Sequence, residues 1–384
     1  PKTPKPQAIE NIIDFNTYAN NVDYKLLDSY KDVISPKKYV DFSGLSNASS
    51  SAATVFQYYQ EGNDNSFGLI SGSTAARPTG SVSLAEFAFT TEADIYFPNK
   101  HASHALGEEL PPVITSSLFG FRTPSDQSPT STNITWAPAS RDFGLNVVAV
   151  RKKGSFSVSQ VPEHKLKDVY FAVRNRAGKT LLTSSVFSNV YDNERWQFAL
   201  SVRPTKYPFV SGVLGSSGAG NSSYILSLCG YNYNNGLLRN SFSKNVRIND
   251  FSGSAYVNTP KRLFMGALRQ NHTGALIFRS DVRATSLRYW TDFLPTGTVK
   301  NHALNADTFG REHSLRNAYS FQDNNPGVYV PQIETLALNW DYADVLASDA
   351  NGRFNISDFS SGSNGTRYDE KYQGDVFTNL NLRD

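Results

Sequence analysis

Apolar and polar residues alternate without a slip along Trp196-Gln197-Phe198-Ala199-Leu200-Ser201-Val202-Arg203. This places Trp196, Phe198, Leu200 and Val202 on one face of an extended segment, the mark of a strand with one buried side. The same period of two recurs between residues 39 and 293, punctuated by Gly, Pro, Asn and Ser clusters. Phe87, Phe89, Thr91, Ala93, Ile95 and Phe97 share a face against Glu86, Ala88, Thr90, Glu92, Asp94 and Tyr96, and Pro98 ends the run. Further strands are predicted at 114–121, 143–150, 168–174, 181–187, 224–231, 262–268 and 286–293. In the last, Leu287, Tyr289 and Phe293 oppose Arg288, Trp290 and Asp292, so cover on both faces is expected. The segments 125–140 and 211–223, rich in Ser, Thr, Gly, Asn and Pro, read as long loops, where recognition is usually placed.

The pattern weakens at both ends. Residues 1–38 hold broken apolar clusters, Ile9, Ile12, Ile13, Phe15 and then Leu26, Leu27, Tyr30, behind a Pro/Lys opening. They read as an extended N-terminal arm laid over a neighbour, since a segment without its own core gains order only by burial on a partner. The main domain is expected over 39–295 and a C-terminal extension over 296–384, with a short helix at 300–305, a turn at 323–327 and a strand at 334–340. Asp41-Phe42-Ser43-Gly44 is echoed by Asp358-Phe359-Ser360-Ser361-Gly362, which hints at the start of a second unit.

Composition sharpens the fold class to all-β. Twenty-five Phe, 20 Tyr and 4 Trp against a single Met supply a sheet-on-sheet core rather than a helical bundle. A formal charge of +3 from 37 basic and 34 acidic residues leaves no electrostatic footprint for nucleic acid or an anionic membrane. The single Cys229 excludes an internal disulfide, and no apolar run reaches the roughly 20 residues that span a bilayer. A chain opening on Pro1 without Met is expected to be processed or part of something longer.

Candidate chemistry is sparse. Glu92-Ala93-Asp94-Ile95-Tyr96-Phe97 matches part of the strand on which laminarinase-like glycoside hydrolases carry their acids, but retaining hydrolysis needs two flanking carboxyls. Tyr96 and Phe97 stand where the second Glu belongs, so Glu92 and Asp94 are read as the solvated side of a half-buried strand. The six histidines, His101, His104, His164, His272, His302 and His313, lack the companions of a metal site and are read as surface loop residues. Asp192-Asn193-Glu194 and Asp349-Ala350-Asn351-Gly352 offer oxygens for calcium, yet Asp and Asn before a strand are ordinary turn formers. Neither a nucleophile elbow nor a phosphate loop is present, and Gly215-Ser216-Ser217-Gly218-Ala219-Gly220 fits neither. Tyr231, Tyr233 and Asn234, in a Tyr/Asn hairpin, are the candidate glycan-binding residues, with exposed rings to stack on a sugar and an amide for its hydroxyls. No catalytic, cofactor or metal residue is assigned.

The alternating strand that ends at Pro98 resembles an early strand of concanavalin A-like (laminin G-like) domains. Tyr191-Asp192-Asn193-Glu194-Arg195-Trp196-Gln197-Phe198-Ala199-Leu200-Ser201-Val202 resembles a later one, with Trp196 and Phe198 as its core anchors. Arg262-Leu263-Phe264-Met265-Gly266-Ala267 is similar to the strand before their last hairpin, where Gly266 lets backbones approach. The stretches 280–290, 334–340 and 358–362 are similar to laminin G-like segments of large virion structural proteins of tailed bacteriophages. That resemblance implies an antiparallel jelly-roll β-sandwich with extended N- and C-terminal arms. It also implies a non-enzymatic capsid, neck or tail component of the virion, bound to other virion proteins in a homo- or hetero-oligomeric assembly or to a host glycan, without a cofactor. The other expectation is a lectin or glycoside hydrolase on the same scaffold. The acidic calcium ligands of laminin G domains are not recognisable in the sequence, so no metal is carried over.

Overall fold

The computed structural model describes residues 39–42, 54–56, 88–99, 113–123, 136–140, 142–152, 167–205, 223–234, 236–259, 261–270, 275–290, 292–304, 336–340, 354–355, 373–374 and 381–383. Its elements run β1 (Tyr39–Asp41), β2 (Thr54–Phe56), β3 (Phe89–Phe97), β4 (Thr115–Arg122), β5 (Leu145–Arg151), β6 (Val169–Asn175) and β7 (Thr180–Phe187). There follow β8 (Glu194–Pro204), β9 (Ser223–Asn234), β10 (Leu237–Asn249), helix α1 (Asp250–Asn258), β11 (Arg262–Gly266), β12 (Leu268–Arg269) and β13 (Leu276–Phe278). The last are β14 (Arg283–Trp290), helix α2 (Thr296–Leu304), β15 (Leu336–Trp340), β16 (Phe354–Asn355), β17 (Gln373–Gly374) and β18 (Asn381–Arg383). Every strand pairing among them is antiparallel, so the all-β reading holds.

The first sheet has the order β10-β9-β8-β3-β14-β1-β18, with β15 also paired to β14, and the second runs β2-β11-β4-β5-β6-β7. They stack as a sandwich because strict alternation gives each sheet a bulky inner face. Phe97, Trp196, Phe198 and Phe242 from the first meet Phe171 from the second, with ring centroids 4.7–5.8 Å apart. At the other end Phe89 packs edge-on against Phe121 at 5.4 Å. The core admits no bulk at Gly230, where an added Cβ would lie 2.4 Å from the Phe242 ring. Leu338 and Trp340 of β15 belong to the same core, and Leu287 pairs with Trp340 across β14 and β15.

Several of the charges inside the sandwich are paired. Arg151 Nη2 donates to Asp281 Oδ2 at 2.9 Å, while its guanidinium lies 3.3 Å from the Tyr191 ring centroid and Tyr191 Oη donates to Asp281 Oδ1 at 2.5 Å. Asp142 is held by Arg122 and by Arg176. Lys261 meets no carboxylate among the described residues; its Nζ donates to the carbonyls of Val257 and Thr259 at the end of α1 and sits above the rings of Phe89 and Phe121.

Two of the longer elements were not expected. β10 is the longest strand among the described residues, yet its inner face reads Phe242, Lys244, Val246, Ile248, with a lysine in the middle. At the edge of a sheet that lysine reaches water, so the break in the pattern costs little. Helix α1 follows at once, started by Asn249, whose side chain accepts from Ser252 N at 2.8 Å. The helix expected at 300–305 is present earlier, as α2. The arm over 1–38, the loop 211–222 and the echo at 358–362 lie outside the described residues, as do His101, His104, His164, His272, His313 and the segment 349–352.

Candidate functional site

The outer face of the first sheet is not a solvated surface. Thr90, Glu92 and Asp94 on β3, Gln197, Ala199 and Ser201 on β8, and Ser286, Arg288 and Trp290 on β14 are all buried there. Helix α2 covers part of it, setting Val299 and Ala303 into a second core with Ala199, Cys229, Tyr231, Trp290, Leu294 and Leu336. This overturns two expectations. Glu92 and Asp94 are each 1% exposed rather than on a water-facing side, and His302, on the helix expected near 300–305, is wholly buried rather than at the surface. Strand alternation separates faces, but whether a layer lies over the second face depends on chain 200 residues away.

At the centre of this second core His302 Nδ1–H donates to both Glu92 oxygens, at 2.9 and 3.0 Å, and Trp290 Nε1 donates to Glu92 Oε2 at 2.8 Å. The His302 and Trp290 rings stack at 5.7 Å. Arg288, one strand over in register with Glu92, bonds Asn339 Oδ1 through Nε at 2.9 Å. Burial by itself would raise the Glu92 pKa, but His302, the charge of Arg288 and the Trp290 donor outweigh it and hold the carboxyl below its usual range. Cys229 beside it is pushed up to about 12 by burial and then by the Glu92 charge, which leaves the thiol inert. Asp94 is clamped by Arg195, through Nε at 2.8 and 3.0 Å and Nη2 at 2.6 Å. Both acids of the hydrolase-like strand are therefore consumed by the fold.

One register row further along, the outer face changes character. Tyr96 pairs with Arg195 on one side and Arg283 on the other. Tyr233 follows one step beyond the Trp196–Asn232 pair, and the Arg283 guanidinium lies 5.2 Å from the Tyr39 ring centroid. Tyr233, Arg195, Tyr96 and Arg283 so follow one another across β9, β8, β3 and β14, each partly buried, while on β1 Asp41 is the register partner of Arg283 and Tyr39 lies two residues further along. Beneath this band Gln197 is 2% exposed, and neither atom of its amide has a hydrogen-bond partner.

The glycan candidates divide. Tyr231 is not exposed: it is 8% accessible, packed under α2, with Oη donating to Thr296 O at 3.2 Å. Its ring points to the covered face, so it has no side free for stacking. Tyr233 shares that face but sits beyond the helix and keeps part of its ring open. Asn234 closes the hairpin opposite Leu237, before Gly236 at φ +73°. The oxygens proposed for calcium are engaged: Asp192 with Lys167 Nζ and Asn99 Nδ2, both at 3.1 Å, Asn193 with Asn99 N at 2.9 Å, and Glu194 with Asn232 Nδ2 at 2.9 Å. Asn193 takes φ +59°, the left-handed turn conformation that Asn tolerates. The pairing of Glu92 with His302 was invisible in the sequence; the period-two register did carry the Tyr/Arg band, once strand order was known.

No protein-family model, no curated protein and no solved structure matches this chain.

Proposed function

We propose that the chain is a non-enzymatic structural and adhesion protein of a virus particle, a capsid, neck or tail component of a tailed bacteriophage built on a concanavalin A-like (laminin G-like) jelly roll. Its terminal arms hold neighbouring subunits and its sandwich supplies a rigid surface. The observation that carries the non-enzymatic half is the fate of the two strand acids: Glu92 is locked between His302 and Trp290, and Asp94 is clamped by Arg195. Retaining glycoside hydrolysis needs a pair of carboxyls reachable by substrate on either side of one bond. The virion half is supported by the sequence resemblance.

Immunogold labelling of purified particles, paired with a reducing-sugar assay on a panel of polysaccharides, tests both halves. Labelled particles and no sugar release are expected. Sugar release that disappears in Glu92→Gln would overturn the non-enzymatic reading, and unlabelled particles would overturn the assignment to the virion. The alternative of a lectin on the same scaffold is favoured by one feature, the Tyr/Arg band.

A further inference from the structure

We propose that the open edge of β10 takes up the N-terminal arm of a second copy of this chain, with segment 9–15 added to the first sheet as a further antiparallel strand. The inference rests on the arm-holding half of the function proposed above and names the surface that the arm holds.

β10 ends the first sheet and β7 ends the second; among the described residues each is paired on one side alone, β10 with β9 and β7 with β6. The two edges meet, Phe187 of β7 against Phe242 of β10 with ring centroids 5.6 Å apart. β10 is the larger opening: of its 13 residues nine are exposed, so water reaches most of its length. An edge strand turns every second N–H and C=O outward, and that row is a template for another strand. Apolar material is also left at the rim. Val246 and Ile248 from β10 and Leu181 and Phe187 from β7 pack against the core yet are only partly buried, and one more strand would cover them.

Charge selects what can be added. β10 carries Arg239, Lys244 and Arg247, all exposed, and no acid. A second β10 laid on it would bring cation against cation, so the edge rejects its own copy and favours an acidic strand. Residues 7–24 hold Glu10, Asp14 and Asp23 and no base. Within them Ile9, Asn11, Ile13 and Phe15 alternate with Glu10, Ile12 and Asp14. Antiparallel pairing with Glu10 opposite Arg247 sets Ile9 opposite Ile248 and Phe15 opposite Phe242, so the apolar row extends the inner face and the carboxylates stand on the outer one. The C-terminal extension fits less well: 367–377 mixes Arg367 and Lys371 with its acids, and the extension already supplies β17 to β16 and β18 to β1. A chain's own arm leaves from β1, five strands or about 24 Å from β10, across an outer face partly covered by α2. A neighbour's arm reaches the edge without crossing either face.

Mixing two cysteine variants of the whole chain tests this. Ile12→Cys in one copy and Asn245→Cys in the other stand opposite each other in the register above, with the native Cys229 buried. On oxidation the mixture is expected to give a disulfide-linked pair that neither variant gives alone. No link in the mixture, a link in Asn245→Cys by itself, or closure within one chain when both cysteines are placed on it at high dilution overturns the proposal. Sedimentation should show self-association of the wild type that weakens about tenfold or more in Arg247→Glu and in Glu10→Lys and returns when both reversals are combined. A wild type that stays monomeric throughout, or a combined variant no better than the single ones, overturns it. Amide exchange in the wild type reads the same surface without any variant: protection over 237–249 should rise with protein concentration, and protection that stays flat counts against the edge. Labelled particles without the arm cross-link sink this inference alone; cross-linked copies of a chain absent from particles sink only the virion assignment.

Discussion

Glu92 shows how one carboxyl changes meaning with its surroundings. Its partner His302 is 210 residues away, and the pair is sealed with Trp290 under a single helix. Replacing the carboxylate by an amide leaves the buried His302 and Trp290 donors against a weaker acceptor, so Glu92→Gln is expected to lower stability by about 1–3 kcal/mol in urea unfolding. The pH dependence has a definite sign. A carboxyl whose folded pKa lies below its unfolded value of 4.5 contributes stability that is complete above that value and is lost as pH falls through the folded pKa. Wild type should therefore lose more stability than Glu92→Gln on acidification below about pH 5, and parallel losses in the two proteins would show that the pair contributes nothing to the linkage.

At the scale of elements, helix α2 is a cover whose contacts include Val299 and Ala303 in the second core, His302 on Glu92, and the Thr296 carbonyl on Tyr231. Val299→Asp is expected to lift it and expose Cys229, so a maleimide that leaves the wild-type thiol unmodified should label the variant within minutes. Gly230→Ala probes the opposite face of the same sheet, where the new methyl meets the Phe242 ring. Overpacking there should cost about 1–3 kcal/mol and shift the thermal midpoint down, whereas an unchanged midpoint would mean that β10 yields freely. The strands that alternate cleanly, β3, β4, β5, β6, β8 and β14, were legible because both their period and their bulk are local properties. β10 was not, since Lys244 interrupts its inner face and its outer face is Ser, Asn and Arg; only its place beside β9 makes it a strand. α1 was signalled by Asn249 alone. The candidate site split along the same line: Tyr233 was legible as an aromatic near a turn, while the burial of Tyr231 and the row that joins Tyr233 to Tyr96 through Arg195 required strand order.

At the scale of the whole molecule, the central strand β3 is flanked by β8 on one side and β14 on the other. The second of these neighbours is encoded far downstream, at Arg283–Trp290, and β14 in turn awaits β15 at Leu336–Trp340. During synthesis at about 5–20 residues per second, one side of β3 therefore stays without its ladder for roughly 10–40 s after it leaves the ribosome. For that interval the nascent chain shows a bare strand edge, and yield should depend on how fast translation or a chaperone closes the gap.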